Sequence, residues 1–169
     1  PGATFDDSAW TPLVAPGAIE PYWMAAASLG ADWVAVTNAT QYAQNYSFFR
    51  QYFYLPPNAR GFAGTLQIAG DDVVDVYING RFIGTHYGGG GASTMNVSSA
   101  VLAGVNLLAV RLTNNTHNGH AIYNGGDHPG LLYRLEVSFQ RLIPFAAAPA
   151  MTLEDQPVTF TMQEWLRGK

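Results

Sequence analysis

Apolar and polar residues alternate with a period of two along much of this chain, the pattern of strands with one buried and one solvated face. From Ser47 to Leu55, Phe49, Phe53 and Leu55 fall on one side and Arg50, Tyr52 and Tyr54 on the other, and Pro56-Pro57 stops the strand. Gly64–Gly70 places Leu66 and Ile68 inward against Thr65 and Gln67. Val74, Val76 and Ile78 alternate with Val73, Asp75 and Tyr77, and Asn79-Gly80 follows at once. Both residue types accept the positive φ values of a type I′ turn, so Arg81–Gly84 is expected to return as the second arm of a hairpin. Val105–Thr113 is another strand, and Leu131–Phe139 is the longest, with Leu131, Tyr133, Leu135, Val137 and Phe139 opposite Arg134, Glu136 and Ser138.

Helical signal is weak. Ser98–Leu102 fits one short turn with Ser98 as its cap, and Tyr22–Val36 is alanine-rich enough for a short helix broken at Gly30. Several short strands separated by glycine-rich turns predict an all-β protein, an antiparallel β-sandwich. After Phe139 the alternation stops. The expected organisation is a sandwich over 1–140, a stiff Pro/Ala linker over 141–150, and a tail over 151–169. The tail holds a strand-like stretch, Pro157–Thr161, and an apolar end, and it is too short for a core of its own. It packs back on its own sandwich, begins a further domain, or docks on a neighbouring copy by strand addition through Val158, Phe160, Trp165 and Leu166.

Composition narrows the partners. Of 169 residues only 12% are charged against a usual ~25%, while 13% are aromatic and 18 Gly and 10 Pro supply turns. A net charge of −4 argues against nucleic acid and against a polybasic membrane surface. No apolar run is long enough to span a bilayer, so membrane insertion is not expected. The lack of cysteine removes disulfide scaffolds, thiolate zinc sites and cysteine nucleophiles. The start at Pro1 points to a processed or trimmed chain, and an extracellular or cell-surface location is expected.

Five segments, taken in order, resemble galactose-binding-like jelly-roll domains such as the sugar-binding domain of β-galactosidase-type glycoside hydrolases. They are Phe5-Asp6-Asp7-Ser8-Ala9-Trp10; Phe48–Pro56, an aromatic-Arg strand ending in Leu-Pro; Asp71–Gly80 with Ile83-Gly84 after it; Asn96–Leu102; and Gly104–Arg111. The likeness runs from about Thr4 to Phe139. It implies a jelly roll, to which the tail adds a C-terminal extension, and an accessory module in which catalysis belongs to a separate barrel. Neither an enzyme nor a cofactor is therefore expected. The resemblance leaves room for a structural calcium between first and last strands, for which Asp6, Asp7 and Glu136 are the oxygen donors in place.

Residue chemistry agrees with a binding role. Asp71, Asp72 and Asp75 are the densest acidic cluster, but they stand at a strand start and not as a carboxylate pair across a cleft. No Gly-x-Ser-x-Gly elbow, P-loop or His-Glu-x-x-His motif occurs. The segment Asn114–Gly130 is the most polar loop and longer than most connections. Its planar amides and carboxylates suit paired sugar hydroxyls and its aromatic ring can stack on a pyranose, which singles out Asn118, His120, Tyr123, Asn124 and Asp127, with Tyr87 before the glycine run as a further contact. The alternatives are a zinc site using its histidines, or a surface loop that pairs its backbone with its own Asn and Asp side chains. Trp33, Tyr42 and Tyr46 form another aromatic, uncharged stretch that suits a sugar site or a protein interface equally. Two functions follow: an extracellular carbohydrate-binding or adhesion module, or a structural subunit of a surface filament, sheath or virion that contacts copies of itself through its tail.

Overall fold

The alternating segments become strands that stack into two antiparallel sheets, in a computed structural model that describes residues 29–31, 34–35, 45–70, 72–88, 91–114, 130–144 and 151–161. In chain order the strands are β1 Val34–Ala35, β2 Asn45–Leu55, β3 Ala59–Gly70, β4 Val73–Ile78, β5 Arg81–Tyr87, β6 Ser93–Asn96, β7 Gly104–Asn114, β8 Gly130–Pro144 and β9 Met151–Thr161. One sheet runs β2-β7-β4-β5. The other runs β1-β8-β3-β6, and β9 also pairs with β8. β1 meets β8 at Gly130 and Leu131 and β9 meets it from Arg134 to Pro144, so both lie along the edge of β8 that faces away from β3. The fold is the expected all-β, antiparallel sandwich.

The period-two pattern sorts the core as the sequence predicts. Phe49, Phe53 and Leu55 of β2, Leu66 and Ile68 of β3, Val74, Val76 and Ile78 of β4, Leu108, Val110 and Leu112 of β7, and the alternate positions of β8 from Leu131 to Phe139 are all buried in one cluster between the sheets. Burying each such side chain contributes about 1.5–3 kcal/mol, which sets strand register, because a slip of one residue would turn every one of them to water. The β4–β5 hairpin closes through Asn79 and Gly80 at φ 52° and 79°, the left-handed pair that a type I′ turn requires. β3 bulges between Arg60 and Ala63, where Gly61 takes φ 62°.

Five local features differ from expectation. The turn after Val97 is present, with Val101 N–H donating to the Val97 carbonyl, but Ser98 does not cap it. Its Oγ accepts from Gly64 N–H on β3 at 2.9 Å, while Asn96 Oδ1 accepts from Ser98 N–H. Val34–Ala35, inside the stretch expected to be helical, is a strand, because β8 offers it an open edge. β8 runs on to Pro144, past Phe139 and into the expected linker, because β9 supplies its hydrogen-bonding partner there. β6 was not foreseen: Ser-Thr-Met-Asn has no apolar alternation and becomes a strand by pairing with β3. The tail expected to be strand-like over Pro157–Thr161 is strand from Met151, paired within its own chain.

Candidate functional site

The outer face of the β2-β7-β4-β5 sheet is where the alternation leaves a surplus of rings. With Phe49, Phe53 and Leu55 directed into the core, Tyr46, Phe48, Tyr52 and Tyr54 must point outward, and they remain between 51% and 58% exposed. Arg50 stands between the two pairs. Register carries this row across the sheet. Tyr46 is opposite Thr113, which is opposite Val73, which is opposite Tyr87; Phe48 leads through Arg111 and Asp75 to Thr85; and Arg50 leads through Ala109 and Tyr77 to Phe82. Tyr52 and Tyr54 lie beside Leu107 and Val105. Solvent-facing rings in such number on one sheet face are unusual for a surface that contacts only water.

Polar groups fix these rings in place. Asp75, although buried, is an outward-directed carboxylate covered by its neighbours: Thr85 Oγ1 donates to its Oδ1 at 2.6 Å, and Arg111 Nε donates to its Oδ2 at 3.0 Å, with Arg111 Nη2 on the same oxygen. Burial pushes the Asp75 carboxyl up, but the hydrogen bonds from Thr85 and Arg111 and the charge of Arg111 together outweigh it, and the net shift is below the usual carboxylate value. The same carboxylate holds the Arg111 guanidinium above its ordinary value. Arg111 in turn lies over the Tyr46 ring at 5.6 Å. Arg50 donates to the Tyr52 hydroxyl at 3.0 Å and lies 5.6 Å from that ring's centre. Tyr77 and Phe82 pack at 5.4 Å between ring centres, tilted by 58°. Between that pair and Arg50 stands Ala109, which carries only a methyl group, so the face is low at that position.

Of the residues singled out from the sequence, Tyr46 and Tyr87 belong to this face, while Trp33 and Tyr42 lie outside the described residues. Tyr87 is the most exposed large side chain on it, at 73%, and shares a row with Tyr46. Asn118, His120, Tyr123, Asn124 and Asp127 lie outside the described residues, in the sequence between β7 and β8. Asp6 and Asp7 also lie outside them. Glu136 is exposed on β8 and accepts from Arg134 Nη2. Among the described residues no group of three His, Asp or Glu side chains converges. The backbones of Val158 and Phe160 pair with Val137 and Leu135 of the same chain, and Trp165 and Leu166 lie outside the described residues.

The sequence reading placed Arg50, Tyr52 and Tyr54 on the solvent side of β2 without treating that side as a site. The signal available was aromatic residues at every second position of a strand whose other face already filled the core. A cleft between the two sheets is lined by Phe49, Arg50, Gln51, Leu108, Val110, Leu131 and Tyr133, of which Arg50 also belongs to the outer face.

No protein-family profile and no curated protein matches the chain. Among solved structures, the lectin from Pleurotus ostreatus in complex with GalNAc is similar at 21% identity and a TM-score of 0.49, over 78% of this chain and 36% of that one. A glycosyl hydrolase family 2 member from Bacteroides cellulosilyticus is similar at 17% identity and a TM-score of 0.44, over 75% of this chain and 24% of that one. The α-L-rhamnosidase of Streptomyces avermitilis, complexed with L-rhamnose, is similar at 18% identity and a TM-score of 0.47, over 90% of this chain and 13% of that one. The chain thus spans about a third of the lectin and smaller shares of the two hydrolases. At these identities and scores the functional argument rests on this chain's own residues.

Proposed function

We propose that the protein is a non-catalytic carbohydrate-binding module that receives sugars on the outer face of the β2-β7-β4-β5 sheet. One observation carries this reading: six exposed aromatic side chains, Tyr46, Phe48, Tyr52, Tyr54, Phe82 and Tyr87, share that face. A pyranose presents C–H groups on its faces and hydroxyls around its rim. Rings of Tyr and Phe meet the first, and tyrosine hydroxyls and arginine guanidiniums meet the second. Tyr87 shares a row with Tyr46 on the same face and extends the contact surface. The role agrees with what the five resembling segments imply, and it fits an extracellular or cell-surface protein, where polysaccharide is abundant.

The test is affinity gel electrophoresis against a panel of soluble polysaccharides. At least one of them retards the native chain, and Tyr52→Ala/Tyr54→Ala restores its free mobility. A chain that no polysaccharide retards, and that binds nothing on a glycan array, contradicts the reading.

A further inference from the structure

We infer that the ligand of this face is a linear, uncharged polysaccharide lying lengthwise along β2, and not a single terminal sugar. The inference rests on the carbohydrate-binding reading and specifies its ligand. β2 is an edge strand of its sheet, and every outward position from Tyr46 to Tyr54 carries a ring except Arg50. An antiparallel strand advances about 3.4 Å per residue, so neighbouring outward positions stand ~7 Å apart and the row spans about 27 Å, the length of roughly five linked pyranoses. A lone sugar would cover one or two of these rings. Four of the five outward positions carry a ring, a repetition that suits a repeating ligand.

The side chains also indicate the chemistry of the repeat. Exposed large apolar groups on the face are aromatic except for Val105, whereas the core behind it is mainly aliphatic. A protein partner is served by aliphatic knobs as well as by rings. A row of four rings favours flat C–H faces. β-1,4-linked chains with equatorial hydroxyls present such faces unit after unit, while axial linkages coil the chain away from a straight row. Asp75 and Arg111 neutralise one another, so no carboxylate or guanidinium of that pair is left to select a charged sugar, and Arg50, still cationic, donates to the Tyr52 hydroxyl. The pairing of each arginine with a ring, Arg111 on Tyr46 and Arg50 on Tyr52, holds two of the four rings before ligand arrives, which reduces the ordering cost of binding.

The experiment is a calorimetric titration of the whole chain with cello-oligosaccharides and chito-oligosaccharides of one to six units, with sedimentation velocity alongside. In at least one series the monosaccharide gives no measurable heat, affinity climbs with each added unit and levels off near five, and the hexamer binds at least tenfold more tightly than the dimer. Tyr46→Ala and Tyr54→Ala, at opposite ends of the row, each weaken the hexamer about tenfold, the loss expected of one well-placed ring. Glycan binding that is equally tight for a monosaccharide and for the hexamer, and indifferent to both variants, overturns the lengthwise ligand and leaves the carbohydrate-binding reading standing. The absence of binding to any glycan overturns both. A dimer in sedimentation that Tyr52→Asp/Tyr54→Asp disperses shows that a second copy covers the face, and overturns both as well.

Discussion

Arg111 on β7 reaches across the sheet to Asp75 on β4, donating from Nε at 3.0 Å and from Nη2 to the same carboxylate oxygen, while its guanidinium lies over the ring of Tyr46 on β2. One side chain thus ties three adjacent strands together on the face proposed to bind sugar. Asp75 is buried and Arg111 is not, so the two partners are not equivalent. Removing Arg111 leaves a desolvated carboxylate with only Thr85 to satisfy it.

Arg111→Gln is therefore expected to lower the urea midpoint at pH 7 and to change the acid limb of the stability curve. In the native protein the Asp75 carboxyl is held below its unfolded value of 3.8. Its contribution is thus present above about pH 4 and is lost as pH falls through the lower folded value. Without Arg111 the folded value rises, and the loss begins at higher pH. Urea midpoints between pH 3 and 7 check this; an acid limb that is the same in both proteins contradicts it.

Asn106 is a second buried polar anchor, 1% exposed. Its Nδ2 donates to the carbonyls of Leu102 and Gly104, and its Oδ1 accepts from Leu102 N–H and from Asn79 Nδ2, both at 2.8 Å. Asn79 also accepts from Leu107 N–H and donates to the Ala100 carbonyl, which ties the tip of the β4–β5 hairpin to the start of β7. Asn106→Ala strips partners from several buried groups at once and is expected to cost about 2–4 kcal/mol. Asn106→Asp is expected to destabilise as well, since a carboxylate cannot donate to the two carbonyls. Chemical denaturation reads both, and a loss below about 0.5 kcal/mol, the range of an ordinary surface change, would refute the anchoring role.

His86 predicts a different pH window. It is directed inward from β5, with Nδ1 2.8 Å from Ser93 Oγ and no aligned hydrogen-bond partner for Nε2 among the described residues. Burial lowers its pKa below 6.5, and the nearby Gly70 carbonyl only partly opposes this. A lowered folded value means that the stability it contributes is present above about pH 6.5 and is lost as pH falls below that. Native protein is expected to lose stability between pH 7 and 5, and His86→Asn, which keeps an amide near Ser93, flattens that slope. Equal slopes in the two proteins would show that other groups govern this window.

The sandwich was legible because burial and period coincide. In β4, Val74, Val76 and Ile78 are all fully buried, as the alternation demands, and Asn79-Gly80 is the turn it looks like. β6 was not legible, since Ser93–Asn96 becomes a strand only through β3, and neither was the continuation of β8 past Phe139, which depends on pairing with β9. The face was half legible. The outward side of β2 is written in the sequence at Arg50, Tyr52 and Tyr54, but its union with Phe82 and Tyr87 depends on strand order, and sequence alternation carries no strand order. The most polar loop drew attention instead, because polar side chains announce chemistry more plainly than exposed rings do.

The measurement that bears most directly on sugar binding at this face is an amide chemical-shift titration of the labelled chain with the polysaccharide that retards it in affinity gels. The predicted result is a set of shifts concentrated on β2 between Tyr46 and Tyr54 and on β7 between Val105 and Arg111, with β3 and β8 unmoved. The same titration of Tyr52→Ala/Tyr54→Ala shows no shifts, although its stability stays within about 0.5 kcal/mol of the native value, as for exposed side chains generally. Shifts confined to β3 and β8, or unchanged in the double variant, would contradict the account.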